Sequence, residues 1–134
     1  MGVTDKTVYK NKRLMLIEDC ETCIYLIEEF LIDTKIEIVT CNNSIQAKTI
    51  LMADTYFDII LLDIKLPGES GLVLYQWLQN EISHIPVVIC TAYNEAFISQ
   101  KIKEQGEVVP AILMKPLRKD ILINQIEQTI KGHN

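Results

Sequence analysis

Five short apolar runs, each essentially continuous, decide what this chain can fold into: Leu14-Met15-Leu16-Ile17, residues 36–39, Ile59-Ile60-Leu61-Leu62, Val87-Val88-Ile89-Cys90 and residues 111–114. They are too short for helices, rich in branched side chains, and do not alternate with polar residues. A strand covered on both faces reads this way, because neither row of its side chains meets water. Between the runs lie longer stretches with helical spacing. Cys23, Ile27, Phe30 and Leu31 share one face of the first, and Leu122, Ile126 and Ile130 recur along the last. Pro86 stands just ahead of the fourth run, where a strand tolerates it. Pro67-Gly68 and Gly106 punctuate loops. Repeated alternation of strand and helix predicts a (βα)5 doubly wound α/β fold, a five-stranded parallel sheet with helices on both faces. The 134 residues make one domain, large enough for a core without disulfides or a structural metal. That domain is expected over residues 13–131, after a ragged lead-in at residues 1–12 and before a frayed tail at residues 132–134.

Composition narrows the functions open to it. With 49% hydrophobic and 23% charged residues the chain is globular rather than disordered. A net charge of −5 argues against gripping nucleic acid or an anionic membrane, since both need a basic face. No apolar run approaches the roughly 20 residues of a membrane helix. Residues 1–13 carry Lys6, Lys10, Lys12 and Arg13 and lack the apolar core of a signal peptide. Met1-Gly2 invites a myristoylation reading, but Lys6 stands where Ser or Thr is wanted. A cytoplasmic location is expected, with Cys20, Cys23, Cys41 and Cys90 reduced.

Polar residues stand at the C-terminal ends of four of the five runs. Glu18 and Asp19 follow the first, Asp63 the third, Thr91 the fourth and Lys115 the fifth. In a parallel sheet these ends share one edge, so the five side chains converge. The second run ends in Thr40-Cys41-Asn42 and contributes none. The flavodoxin-like strand order 2-1-3-4-5 predicts that silence, because strand 2 lies at the edge and ligands bind between strands 1 and 3. Three carboxylates packed together raise one another's pKa unless a cation lies among them. Mg²⁺ suits the space, since it accepts one or two carboxylates and keeps several waters. Lys115 and Thr91 add a cationic donor and a hydroxyl donor for phosphoryl oxygens. The set matches phosphoryl transfer by positioning and charge neutralisation, with Asp63, in mid-sheet, as nucleophile.

These residues resemble the receiver domain of two-component response regulators over about residues 12–131. The segment from Phe57 through Asp63 to Pro67, with Gly71 beyond, is similar to that family's phosphoacceptor motif. Thr91-Ala92 resembles its strand-4 switch pair and Lys115-Pro116 its strand-5 pair. The resemblance implies that Asp63 accepts a phosphoryl group from a histidine kinase or histidine phosphotransfer protein. It implies Mg²⁺, with Mn²⁺ as a substitute, held by Asp19, Asp63 and the backbone carbonyl of Lys65, Glu18 acting partly through water. It also implies that Thr91 and Lys115 bind the phosphoryl group and report it to a face made by the fourth helix, fifth strand and fifth helix. That face would meet an unknown downstream protein or a second copy. Such a domain is a switch rather than a turnover enzyme, working by docking or as part of a larger protein.

The chain departs from the family pattern in three places. Glu18-Asp19 replaces two aspartates, Ile112 stands where an aromatic usually swings inward, and residues 106–110 make a longer loop. Lys65 and Tyr93 occupy positions that flank the path of hydrolytic water in the family, and their bulk predicts a long-lived phosphoryl state.

Plainer readings compete with these. Glu18-Asp19 could serve only as a helix cap, Thr91 could cap a helix, and Lys115 could be a solvated surface lysine, a reading that Pro116 weakens by fixing an extended step that aims the side chain. A phosphorylation-independent interaction module on the same fold is the main alternative. Cys20-Glu21-Thr22-Cys23 opens a helix after a strand, as a thiol redox pair would, but lacks the flanking aromatic and the internal Gly-Pro. Cys23 falls on the apolar face of the first helix, so core packing explains it. His84 and His133 have no evident partner, Tyr75 and Trp77 read as packing residues, and no phosphate-binding glycine loop is present.

Overall fold

The structure, a computed structural model, describes residues 6–133. Strands β1 (Arg13–Ile17), β2 (Glu37–Cys41), β3 (Ile59–Asp63), β4 (Val87–Thr91) and β5 (Ala111–Met114) alternate with helices α1 (Glu21–Leu31), α2 (Ser44–Ala53), α3 (Gly71–Glu81), α4 (Glu95–Glu104) and α5 (Lys119–His133). The strands form one parallel sheet in the order β2-β1-β3-β4-β5, as the silent second run predicts.

Continuous apolar strands divide their side chains between two cores. Met15, Ile17, Ile60, Leu62, Val87 and Ile89 face α2, α3 and α4. Leu14, Leu16, Ile59, Leu61, Val88 and Cys90 face α1 and α5. Each fully buried Leu or Ile contributes about 1.5–3 kcal/mol, and both rows of β3 are dry. The helical spacing holds as well: Ile27 and Leu31 of α1, and Leu122, Ile126 and Ile130 of α5, are buried.

The structure departs from the sequence reading at both ends. Residues Lys6–Tyr9, expected to be ragged, form a 3-10 turn, and Tyr9 is 1% exposed against α5. Its hydroxyl donates to the Ile123 carbonyl at 3.4 Å. Gly132 and His133, expected in the tail, continue α5, and the His133 imidazole meets the His84 carbonyl. Residues 1–5 and Asn134 lie outside the described residues. The second strand is also displaced from residues 36–39 to Glu37–Cys41, because its pairing with β1 runs on to the Ile17–Cys41 register. Among the described residues no helix is long and apolar enough to cross a membrane.

Candidate functional site

Register brings the predicted residues level. Ile17 pairs with Leu62, Asp63 with Cys90, and Thr91 with Met114. Glu18, Asp63, Thr91 and Lys115 therefore leave the sheet within about one residue of a common line, and one strand residue is roughly 3.3 Å. Backbone bonds fix the line: Glu18 N–H donates to the Cys41 carbonyl at 2.9 Å and Lys115 N–H to the Thr91 carbonyl at 2.8 Å. The Lys115-Pro116 bond, read from sequence only as an extended step, is cis.

Carboxylate oxygens of Glu18, Asp19 and Asp63 lie within 4.8 Å of one another. Glu18 is 1% and Asp63 6% exposed, while Asp19 is open to solvent. The Lys115 ammonium sits 2.7 Å from Glu18 Oε1 and 3.4 Å from Asp63 Oδ2. Burial first and then Glu18 push the Asp63 carboxyl up to about 6, against the opposing pull of Lys115 and the Lys65 N–H. Burial alone would lower the Lys115 pKa, but the bond to Glu18 and the charges of Asp63 and Glu18 raise it. The lysine thus stays cationic and partly offsets the acidic cluster. Three converging oxygen donors with at least one more negative charge than the lysine supplies can hold a hard metal ion.

Around this cluster the chain forms a cavity of about 580 Å³ lined by Glu18, Asp19, Asp63, Lys65, Thr91 and Lys115 among others. Thr91 is fully buried as a residue, and its Oγ1 accepts the Tyr93 N–H at 3.0 Å, leaving the hydroxyl proton to donate. Lys65 N–H donates to Asp63 Oδ1 at 3.3 Å, and the Lys65 side chain is exposed. Tyr93 is 43% exposed at the cavity rim. Ile112 lies apart, half-buried against the core shared with α4.

Gly71 is the backbone requirement of the site. A Cβ there would stand 2.2 Å from the Asp63 carbonyl oxygen and 2.6 Å from Ile64 Cα. Only glycine lets the first residue of α3 lie against the end of β3. Gly68, at φ 76°, makes the loop's left-handed turn.

The capping alternatives fall to other residues. Cys20 caps α1, its Sγ accepting the Cys23 N–H at 3.4 Å, while Glu18 Oε2 accepts the Cys20 N–H at 3.3 Å. Asn94 caps α4 in place of Thr91. Cys23, assigned by spacing to the core, is half-buried and lines the cavity instead. Its place in the first turn of α1, at the strand-end edge, was the signal for this. Burial raises its thiol to about 11, while the Cys23 N–H lowers that of Cys20. Tyr75 is buried and donates its hydroxyl to the Val108 carbonyl at 2.7 Å, tying down the long loop before β5.

Residues 14–127 match the response regulator receiver domain family. The polar-differentiation response regulator DivK of Brucella anthropi is 31% identical over 124 residues, covering 91% of this chain and 95% of that one. DivK of Brucella ovis is 30% identical with the same coverage. A CheY-like receiver domain from Methanospirillum hungatei superposes with a TM-score of 0.80 at 20% identity, covering 91% of this chain and 95% of that one. The receiver domain of a LuxO repressor protein from Vibrio parahaemolyticus gives a TM-score of 0.80 at 23% identity, covering 91% and 92%. Sequence likeness, a common fold and an acidic cavity at the strand ends agree: the chain belongs to the receiver-domain family of two-component response regulators.

Proposed function

We propose that the chain is a phosphorylation switch in which Asp63 accepts a phosphoryl group from a phosphohistidine of a kinase or phosphotransfer protein. The observation that carries this reading is the Asp63 carboxylate, nearly buried, between two other carboxylates and 3.4 Å from the Lys115 ammonium. An Asp63 carboxylate oxygen attacks phosphorus, the P–N bond breaks, and the imidazole leaves with its electron pair and takes up a proton. Lys115 and the Thr91 hydroxyl donate to phosphoryl oxygens, and the Lys65 N–H orients Asp63.

The donor chemistry fits Mg²⁺ or Mn²⁺, with Glu18, Asp19, Asp63 and the Lys65 carbonyl as the residues that would hold it. Such an ion supplies neutralising charge for the phosphoryl oxygens when bound. Thr91 ends β4 and Lys115 follows β5, so a pull on either reaches the face of α4, β5 and α5. That face carries the output contact, to a downstream protein or to a second copy, and Ile112 fills its switch position without an aromatic ring. Residues 13–131 form the switching unit, located in the cytoplasm.

Intact-mass spectrometry after acetyl phosphate treatment tests the reading. One phosphoryl adduct is expected, dependent on Mg²⁺ and missing from Asp63→Asn. No adduct on folded wild-type protein would point to a phosphorylation-independent module, and titration of Cys20 and Cys23 would follow. Lys65 and Tyr93 flank Asp63 and crowd the approach of hydrolytic water, so Lys65→Asn and Tyr93→Ala should shorten the adduct's lifetime. Unchanged decay would remove both from the mechanism.

A further inference from the structure

Asp63, the Lys65 carbonyl and Gly71 belong to one stretch, the end of β3 and the loop that enters α3. Within the loop, the Gly71 N–H donates to the Ile64 carbonyl at 2.8 Å and Leu66 is buried in the core, which ties down its ends and its middle. Gly68 gives it a left-handed turn, and glycine leaves a chain freer to move. A further restraint comes from outside, through Glu69. Its Oε1 accepts the Ser44 hydroxyl at 2.7 Å and lies 3.0 Å from the Lys48 ammonium, and its Oε2 lies 3.3 Å from that ammonium. Ser44 and Lys48 stand four apart on α2, so both reach the same carboxylate from one helix face. Ser44 is buried, and its bond holds the Glu69 carboxyl below the usual range against the effect of burial, with Lys48 adding to it. The Lys48 ammonium also lies 5.4 Å over the ring of Trp77 in α3.

These contacts close a ring around the carboxylates. Glu18 is bonded through its N–H to Cys41, the last residue of β2. The chain passes from Cys41 into α2, crosses through Ser44 and Lys48 to Glu69, and returns along the loop to Lys65 and Asp63. The two acidic groups are thus joined by a closed path that never crosses the metal position. Loss of the Glu69 link would remove one of the restraints that fix the loop carrying Lys65 relative to Glu18 and Asp19.

We propose that Glu69, anchored by Ser44 and Lys48, is a positioning residue that sets the Mg²⁺ affinity of the Glu18/Asp19/Asp63 site by holding the loop that carries the Lys65 carbonyl. The proposal rests on the reading of that site as a metal centre. Outer partners of metal ligands typically change affinity by roughly ten- to a hundredfold when removed.

Calorimetric titration of the full chain with Mg²⁺ alone supplies the test. Glu69→Ala should weaken binding by about tenfold or more, and Lys48→Met should weaken it to a lesser degree. Glu69→Gln, which keeps an acceptor for Ser44, should recover part of the loss. The double variant Glu69→Ala/Lys48→Met should bind no more weakly than Glu69→Ala, because both act through one contact. Hydrogen exchange of the amides of residues 64–70 should rise in the metal-free variants. A lowered melting point with wild-type Mg²⁺ affinity in Glu69→Ala and Lys48→Met would make the contact merely structural and overturn the proposal. Wild type and Asp63→Asn separate the premise from the inference: if neither binds Mg²⁺, or both bind alike, the site reading fails and this proposal falls with it. Should Glu69→Ala fail to fold, Lys48→Met and Glu69→Gln decide.

Discussion

Asp63 is held in the form its environment disfavours, and that tension is measurable. Its carboxyl is pushed from the ordinary 3.8 up to about 6, chiefly by burial and then by Glu18. A raised folded-state value means the native chain binds more protons than the unfolded one between those two pH values. Stability from this group is therefore full below about pH 4 and is lost as pH rises through about 6. Asp63→Asn should accordingly stabilise the metal-free protein at pH 7.5 by about 1–3 kcal/mol. Urea unfolding at pH 7.5 and pH 4 checks it, since the advantage should shrink towards zero at the lower pH. Gly71 makes the opposite case, a position where no charge is involved and nothing can give. The atoms a Cβ would strike are backbone, the Asp63 carbonyl and Ile64 Cα. Gly71→Ala should cost about 3 kcal/mol or more and displace Asp63. Thermal melting reads the first effect and loss of the acetyl phosphate adduct the second; a well-folded, fully phosphorylated variant would refute the close-approach argument.

At the scale of elements, what could be read from sequence is what repeats. The period of α5 exposes Leu122, Ile126 and Ile130 as a buried row, and the continuous run of β3 announces a strand dry on both faces. The polar residues after four of the five runs were legible for a related reason, since a parallel sheet puts every such position on one edge. Features made by a single residue were not. Tyr9 is one aromatic in a polar stretch, and no period marks it, yet it plugs the sheet face beside α5. Cys20 caps α1 although cysteine is not among the usual capping residues. Glu69 finds its partners on α2, across a distance in sequence that no local pattern spans. The turn at Lys6–Tyr9 makes a prediction of its own. Tyr9→Ala should lower stability by about 3–5 kcal/mol, as for other buried aromatics, whereas Tyr9→Phe should lose about 1 kcal/mol with its hydroxyl's bond to Ile123. Equal, negligible losses in urea unfolding would return this segment to the ragged lead-in that its composition suggests.

For the whole molecule, the acidic edge couples ligand binding to folding. Among the described residues, the metal-free edge carries two nearly buried carboxylates, Glu18 and Asp63, against the ammonium of Lys115. The edge is thus held together by one lysine that reaches two strands its own does not pair with: Glu18 follows β1, Asp63 ends β3 and Lys115 follows β5. A cation that binds only the folded chain adds stability in proportion to the logarithm of its concentration, about 1.4 kcal/mol at ten times Kd and about 2.7 kcal/mol at a hundred times. Wild type should gain that amount from Mg²⁺, whereas Asp63→Asn, with one donor and one charge fewer, should gain less. The two proteins should therefore change places. In chelator Asp63→Asn is the more stable, and with rising Mg²⁺ wild type closes the gap and passes it once the metal contribution exceeds the roughly 1–3 kcal/mol of tension at Asp63. Melting curves of both proteins across a Mg²⁺ series measure the crossing directly. Parallel curves that never approach would mean that Asp63 carries its raised pKa for some reason other than a metal, and would separate the acidic cluster from Mg²⁺ altogether.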